Sequence, residues 1–301
     1  MDITQAYYEL RFQNLFLSVK GNEFQSFFEK LMGLAYKEDF MACRPWGNHG
    51  DRKNDGFLKS ERKLFQVYAP SEMRADRTIA KITEDFEGAR EHWGEHFDQW
   101  VFVHNAHGGL PPHIQEFILA FEEKNHGIDI KLWSLEELRV VFRRLTNDDL
   151  ESWLGLAPTL EVVASLGFDA LRPILEHIAS RPVPPAHPIH DVPMGKIEAN
   201  ALSENVALLL KSGMSKASLI EAFFSQWYDE AFGERIGEAF RTKYQQLKDE
   251  RQTPNEIFSS FQSWAGGAQR GTPEHEVAVL VVIAYYFEHC DIFEEPRKEQ
   301  S

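Results

Sequence analysis

The chain has 301 residues, of which 43% are hydrophobic and 13% aromatic, so a packed core is expected and a disordered or fibrous protein is excluded. At about 150 residues per domain, this length predicts two domains. The 32 Lys and Arg residues against 47 Asp and Glu residues give a formal net charge of −15, which excludes non-specific coating of nucleic acid, because that affinity comes from basic side chains on phosphates.

The N-terminal segment MDITQAYYELRF lacks the basic start and apolar core of a signal peptide, and no apolar stretch reaches about 18 residues without a charge. The two cysteines, Cys43 and Cys290, are far apart and form no CxxC pair or zinc-spaced cluster. We therefore expect a soluble protein of the reducing cytoplasm, without membrane attachment.

The first predicted helix starts at Asn22, because apolar residues recur there at three- and four-residue steps: Phe24, Phe27, Phe28, Leu31 and Leu34. The polar loop PWGNHGDRKNDG follows, and KLFQVY is a predicted strand that ends at Pro70. Alternation along this strand places Leu64, Gln66 and Tyr68 on one face.

Helices and strands alternate up to residue 145. The predicted elements are a helix at 73–93, a buried strand at 97–105, a helix at 110–125, a strand at 128–133 and a helix at 134–145. Ser134 and Glu137 form a predicted capping box at the start of the last helix. This order is typical of an α/β domain.

Strands are absent from the predicted second half. Residues 179–193 contain five prolines and are expected to run extended between two packed units. Helices are predicted at 194–213, 215–250, 253–267 and 272–293, with Thr253 and Glu256 as a capping box around Pro254. The last segment is apolar on nearly all sides, which predicts the central helix of a bundle.

The segment GDRKNDGFLKSERKLFQVYAP, residues 50–70, combines acidic and basic residues with a predicted hairpin. A metal-dependent nuclease needs carboxylates that hold Mg²⁺ against the scissile phosphate, because hard cations choose oxygen ligands, and usually a lysine beside the attacking water. An Asp on one strand and an acid-x-Lys triplet on the next bring these groups together. Asn54-Asp55-Gly56 is also typical of an ordinary surface hairpin.

The order of helix, Asp-Gly, hairpin, Gln-x-x, helix, strand, helix, strand and helix resembles the restriction-endonuclease-like PD-(D/E)xK superfamily. It is most similar to the Mrr-like branch, whose triplet begins with Gln, and the resemblance covers roughly residues 1–150. It implies a mixed central sheet flanked by helices and a DNA endonuclease that uses Mg²⁺ or Mn²⁺. It also implies Asp55 as the principal metal ligand, Gln66 in the second position, and Asp51 and Glu29 (or Glu23) as supporting acids.

Two positions depart from this family's pattern. Tyr68 stands where the family has its lysine, and Gln25 stands where a glutamate is expected. A phenol with a pKa near 10 does not replace an ammonium group, and an amide is a weaker Mg²⁺ ligand than a carboxylate. Lys53 or Lys63 is expected to supply the missing charge. The alternative is a catalytically degenerate nuclease fold that binds nucleic acid or assembles with partners.

Basic residues outnumber acidic ones between Arg44 and Lys81, although the chain as a whole is acidic. We expect Arg52, Lys59 and Arg62 to contact phosphates of the nucleic acid. Trp46 is the tryptophan of this loop and is expected to stack on a base.

Four helical segments of the second half resemble the C-terminal domain of effector proteins in bacterial ABC-ATPase three-component systems, which are genomic conflict cassettes directed against phage. These segments are KIEANALSENVALLLKSG, GERIGEAFRTKYQQLK, TPNEIFSSFQSWAGG and AVLVVIAYYFEHCDIFEEP. The resemblance covers roughly residues 190–301. It implies a partner-docking domain that couples an effector to an ABC-type ATPase and a small middle component in the bacterial cytoplasm.

The sequence thus predicts an α+β protein with three parts. Residues 1–155 form a restriction-endonuclease-like α/β domain, 156–193 a helical connector with a Pro-rich linker, and 194–301 an all-α partner-docking domain. The expected function is a metal-dependent DNA endonuclease that acts as the effector of an anti-phage system, either alone or as a homodimer.

Overall fold

The computed structural model describes residues 2–43, 53–106, 108–179, 195–229, 231–267, 272–289 and 292–294. Trp46, Asp51, Arg52 and the Pro-rich segment lie outside these residues. The chain divides into two compact units, Phe12–Asp149 and a second unit that combines the residues up to Arg11 with those from Leu150 onward. The first helix, α1 at Ile3–Ser18, contributes residues to both units. The domain boundaries at 155 and 193 remain predictions.

The first unit is built on a five-stranded sheet in the order β1-β2-β3-β4-β5. The strands are β1 at Phe40–Ala42, β2 at Gly56–Leu58, β3 at Lys63–Tyr68, β4 at Gln99–His104 and β5 at Asp129–Trp133. The first three are antiparallel to one another, whereas β3, β4 and β5 are parallel. The expectation of a mixed central sheet flanked by helices is therefore confirmed.

Helices connect the parallel strands, as parallel pairing requires. The helices of this unit are α2 at Gly21–Tyr36, α3 at Ala75–Trp93, α4 at Pro112–Lys124, α5 at Leu135–Phe142 and α6 at Asn147–Leu154. A 3-10 turn at Lys37–Asp39 follows α2, and α6 extends into the second unit. The predicted capping box of Ser134 and Glu137 begins α5. Both parallel connections, α3 and α4, lie on the same side of the sheet, where they contact each other.

The two faces of the sheet bury different side chains. Phe65 of β3 contacts Phe28 of α2 and Trp133 of β5, with ring centroids 5.3 and 5.1 Å apart. Its neighbours Leu64 and Tyr68 face the opposite side and pack with the core that α3 and α4 build. Because alternate strand residues share a face, Gln66 belongs to the α3–α4 side.

All secondary-structure elements among the described residues of the second unit are helices. Its remaining helices are α7 at Leu160–Ser165, α8 at Phe168–Ala179, α9 at Lys196–Ala199, α10 at Glu204–Met214, α11 at Ala217–Gln226, α12 at Phe232–Asp249, α13 at Pro254–Gly266 and α14 at Pro273–Glu288. Helix α14 is buried from Glu276 to Phe287 and contacts α8, α10, α11 and α13. The predicted helical second half, its central helix and the capping box at Thr253 are confirmed.

Three features differ from the sequence-based expectations. Helix α1 was not predicted, because its aromatic and aliphatic residues occur on several sides and show no clear helical stripe. Strand β1 has only three residues, too few for a visible alternation. The predicted helices at 194–213 and 215–250 are each two helices, α9 with α10 and α11 with α12, because the chain leaves the helical conformation at 200–203 and near Trp227. Among the described helices, none has both the length and the hydropathy that crossing a bilayer requires.

Candidate active site

Asp55 lies buried at the residue before β2, beside the third strand of the sheet. Its backbone N–H donates to the Phe65 carbonyl over 2.9 Å. Its carboxylate Oδ2 accepts a 2.7 Å hydrogen bond from the Val67 backbone N–H. Strand β2 begins only at Gly56, so it offers no backbone carbonyl to the Val67 N–H of β3. The Asp55 carboxylate accepts this hydrogen bond instead. Asp55 therefore has a structural role as well as the predicted chemical one.

The predicted acids Asp55 and Glu29 meet through the side chain of Gln25 on α2. The Gln25 amide nitrogen donates to Asp55 Oδ1 over 3.1 Å and to Glu29 Oε1 over 3.3 Å. Gln25 thus occupies the helix position where a glutamate was expected and supplies N–H donors between two carboxylates. Glu23, the alternative to Glu29, is exposed on the first turn of α2.

Gln66 is buried next to Asp55, since Gly56 pairs with Phe65 and places the two flanking residues side by side. Only 3% of Gln66 is exposed. Its Oε1 atom has no hydrogen-bond partner within the part of the chain that the structure describes. Leaving a buried acceptor unpaired costs about 1–3 kcal/mol, so this oxygen is suited to a bound cation or donor.

Tyr68 packs as an aromatic side chain at the position of the family's lysine. Its ring lies 5.8 Å from the Phe102 ring, centroid to centroid, and it is partly buried against the α3–α4 core. Directly across the parallel pair, His104 ends β4 and is buried. Burial lowers the pKa of His104 to about 4, and its Nδ1 accepts a hydrogen bond from the Ala106 N–H. His104 is therefore neutral at physiological pH.

Lys53 lies two residues before Asp55 and reaches toward α3. Its ammonium group is 2.5 Å from Glu84 Oε1 and 3.0 Å from Asp85 Oδ1. Burial lowers the pKa of Lys53, but the hydrogen bonds to Glu84 and Asp85 outweigh burial and raise it above the ordinary value. Lys53 is therefore a permanently charged group on the α3 side of the hairpin.

Lys63 does not share the face of Gln66. Position 63 alternates with positions 64 and 66 along β3, and the Lys63 ammonium lies over the Trp133 ring, 5.4 Å from its centroid. It also pairs with Glu61 over 2.5 Å. Lys53 and Lys63 were the two candidates for the positive charge that is missing at Tyr68. Of these two, only Lys53 lies on the side of the sheet that α3 covers.

Asp85 is a buried acid that the sequence analysis did not select. It has no solvent exposure, and besides Lys53 it accepts a 2.8 Å hydrogen bond from Lys81. Its Oδ2 atom has no partner among the described residues. The signal was present in the sequence, because Asp85 interrupts the apolar stripe of Ile82, Phe86 and Ala89.

The donor set at the hairpin is compatible with Mg²⁺. Asp55 offers carboxylate oxygens, Glu29 offers a second carboxylate on the α2 side of the sheet, and Gln66 offers a buried carbonyl oxygen that has no hydrogen-bond partner in the described part of the chain. Within the described residues, no group of three or more His, Cys, Asp and Glu side chains has an arrangement that would hold a metal. Mg²⁺ binds through one or two carboxylates and keeps several waters, so three such residues are not required.

The predicted phosphate contacts are only partly described. Lys59 is exposed in the turn between β2 and β3. Arg62 is exposed at the end of the same turn, pairs with Asp98 over 2.7 Å and donates to the Glu95 carbonyl over 2.8 Å. Arg52 and Trp46, together with the metal candidate Asp51, fall outside the described residues.

Comparison with known proteins gives one match, and it lies in the second unit. Residues 169–294 match the family model described as C-terminal domain 10 of the ABC-three component (ABC-3C) systems. No curated protein and no solved structure matches the chain. The resemblance stated for the second half is thereby confirmed, whereas the nuclease resemblance of the first half remains a prediction. Residues 169–294 are thus similar to C-terminal domain 10 of the ABC-three component systems, and this similarity indicates a component of such a system.

Proposed function

We propose that the chain is the effector of an anti-phage ABC-three component system, and that its first unit is a Mg²⁺-dependent DNA endonuclease. The observation that carries the proposal is the buried Asp55 carboxylate, whose backbone lies next to that of Gln66 on β3, a buried residue whose Oε1 has no hydrogen-bond partner among the described residues. The helical domain at residues 169–294 supports the assignment to the system. The chain is bacterial and cytoplasmic on this proposal.

Asp55 would be the central metal ligand in this endonuclease, and Gln66 would contribute its carbonyl oxygen. Glu29 of α2 would support Asp55 through the Gln25 amide that lies between the two carboxylates. Mg²⁺ or Mn²⁺ would activate water and stabilise the charge that develops on the scissile phosphate. The Val67 N–H holds Asp55 in place, so one ligand is oriented before the metal binds.

Lys53 would act as a fixed positive charge and not as a base. Its pKa is raised by the hydrogen bonds to Glu84 and Asp85, so the amine keeps its proton at neutral pH. Such a group favours the electronegative oxygens of a phosphodiester by charge alone. Tyr68 packs on Phe102 and fills the position of the family's lysine without replacing its charge.

The second unit would bind the ABC-type ATPase and the small middle component. The acidic surplus of the chain lies mostly in this unit. A surplus of negative charge keeps a nuclease away from DNA until its partners deliver it. A homodimer that cuts both strands with paired sites is part of this proposal.

Cleavage assays on the full chain with Asp55→Asn test the proposal. Asparagine keeps an oxygen that accepts from the Val67 N–H, but it removes the charge that a metal requires. We expect metal-dependent cutting of supercoiled and linear DNA to fall by at least about 100-fold, either alone or with the ATPase partner, and EDTA to abolish it in the wild type.

Asp129→Asn is the matched control for this experiment. Asp129 is exposed at the start of β5, pairs with Lys131 over 2.7 Å and lies at the opposite edge of the sheet. Its substitution should leave cleavage unchanged. Retained cutting in Asp55→Asn would refute the assignment of Asp55.

A degenerate nuclease fold that recognises nucleic acid without cutting it is the second candidate. It is favoured by the packing of Tyr68 on Phe102 and by the engagement of Lys53 with Glu84 and Asp85. DNA binding with no cleavage in any combination of metal and partner would establish this candidate.

A further inference from the structure

A cavity of about 330 Å³ opens beside the hairpin, at the β1–β2 edge of the sheet. Aromatic rings form much of its wall: Phe57 of β2, Trp93 at the end of α3 and His96 just beyond it. The Trp93 and His96 rings meet edge to face, with centroids 6.3 Å apart, which fixes their orientation. This volume is within the range of pockets that bind small molecules, and aromatic walls of this kind suit a planar ring.

A buried amide also lines the cavity. Asn54 is only 2% exposed, and its Oδ1 accepts a 2.9 Å hydrogen bond from the Gly56 N–H. This bond orients the side chain and leaves the amide nitrogen as the group that can donate to a ligand. Acceptors on the edge of a nucleobase are suitable partners for such a donor.

Two basic side chains stand at the mouth of the cavity. Lys59 and Arg62 are exposed there, and both line it. Arg62 uses Nε for Asp98 and Nη2 for the Glu95 carbonyl, whereas Nη1 has no hydrogen-bond partner among the described residues and can donate to a phosphate oxygen. Lysine and arginine at such a position attract phosphate.

We infer that this cavity binds one nucleotide, with the base against Phe57 and Trp93 and the phosphate at Lys59 and Arg62. Asn54 immediately precedes Asp55, so a nucleotide seated here belongs to the stretch of strand next to the candidate active site. The inference rests on the proposed nucleic-acid function and gives it a base-binding subsite. A DNA strand and a free nucleotide both offer a base with a phosphate, and competition with deoxynucleoside monophosphates separates the two.

Met41 offers a test with little risk to folding. It lines the cavity, is 54% exposed and belongs to the edge strand β1. We expect Met41→Glu to weaken binding of a fluorescein-labelled single-stranded DNA oligonucleotide by about fivefold or more, because a carboxylate at the mouth repels phosphate. Fluorescence anisotropy of the full chain in EDTA measures this without any cleavage.

Two controls isolate the effect of charge at this position. Met41→Gln introduces a polar side chain of the same shape without the charge. Leu119→Glu introduces the same charge at a 63% exposed position on α4, away from the cavity. Both variants should bind the oligonucleotide within about twofold of wild type, as expected of surface substitutions outside a site.

Salt titrations separate the base from the phosphate. Trp93→Leu should weaken binding by roughly fivefold to a hundredfold at every salt concentration, because a lost stacking contact does not depend on salt. Lys59→Ala should instead reduce the slope of log affinity against log salt by about 0.7. Lys124→Ala, an exposed lysine at the end of α4, is the matched control for Lys59.

Deoxynucleoside monophosphates distinguish the two sources of the nucleotide. If they displace the oligonucleotide and lose affinity in Met41→Glu, the cavity accepts free nucleotides. If the oligonucleotide binds and loses affinity in Met41→Glu and Trp93→Leu, but the monophosphates do not bind, the cavity is a subsite for a strand. If strand and monophosphates are both insensitive to Met41→Glu and Trp93→Leu, or neither binds, the inference is wrong. Because no step requires cutting, a cleavage-deficient wild type would refute the nuclease proposal and leave this one standing.

Discussion

Asp85 is a buried carboxylate held between two ammonium groups. Lys53 and Lys81 approach its Oδ1 to 3.0 and 2.8 Å, whereas Oδ2 has no partner among the described residues. Taking such an acid out of water is unfavourable unless the pairing offsets it, and removal of one member leaves uncompensated charge. The cluster ties the loop before Asp55 to α3, so it determines where the Lys53 charge lies.

Asp85→Asn should therefore lower the free energy of unfolding by about 3 kcal/mol. Glu84→Gln is the matched control, since Glu84 also pairs with Lys53 but is 65% exposed, and an exposed ion pair contributes little to stability. Urea unfolding monitored by tryptophan fluorescence measures both. Equal losses in the two variants would show that burial of Asp85 does not set the strength of the cluster.

His104 makes the stability of the first unit depend on pH. Burial lowers its pKa from 6.5 to about 4, so between these values the unfolded chain binds a proton that the folded chain does not. The free energy of unfolding that depends on neutral His104 is fully present above pH 6.5 and decreases as the pH falls toward 4. At pH 5 the loss amounts to about 2 kcal/mol.

His104→Asn should remove this dependence while keeping an acceptor for the Ala106 N–H. Between pH 7 and pH 5, we expect the wild type to lose about 2 kcal/mol more unfolding free energy than this variant. His113→Gln, at an exposed position on α4, should behave like the wild type. A wild type and a His104→Asn variant with parallel pH profiles would contradict the expected role of His104.

At the scale of elements, α10 and α14 approach each other closely at a glycine. A Cβ atom on Gly213 would lie 2.6 Å from the Leu280 carbonyl oxygen and 2.8 Å from Ala284 Cβ. Helix α14 also contacts α8, α11 and α13, and these contacts oppose its displacement away from α10. The absence of a side chain at Gly213 therefore sets the distance between the two helices.

Gly213→Ala should destabilise the second unit by about 1–3 kcal/mol through overpacking. Gly33→Ala is the control, because Gly33 lies inside α2 with nothing within 4 Å of the added methyl group. That substitution should stabilise the chain by about 0.5–1 kcal/mol through helix propensity. Thermal unfolding of both variants measures these changes. An unchanged stability of Gly213→Ala would mean that α10 and α14 can move apart at little cost in free energy.

At the scale of the whole molecule, the two units carry different proposed tasks. The first presents a hairpin with acidic, amide and basic groups, and the second is a helical bundle built around α14. The family match lies in the bundle, so the link to the ABC-three component systems comes from the half that carries no proposed chemistry. Phosphodiester cleavage is proposed from the other half.

Much of the fold was predictable because the signals are local. The helical stripe of α2, the buried run of β4 and the capping boxes at Ser134 and Thr253 are confirmed by the structure. Helix α1 and strand β1 were missed because one lacks a clear periodicity and the other is too short to show one. Local patterns predict an element only where its own residues repeat with the period of that element.

The sequence by itself determined the α/β first half, the helical second half and the candidate acids of the hairpin. Only the tertiary structure decided which groups meet: Gln25 between Asp55 and Glu29, Lys53 on Asp85, and Lys63 on the opposite face from Gln66. These contacts join residues about thirty positions apart or depend on which side of a strand faces which helix. Period and spacing describe one element at a time, whereas the packing of elements against each other selects the partners.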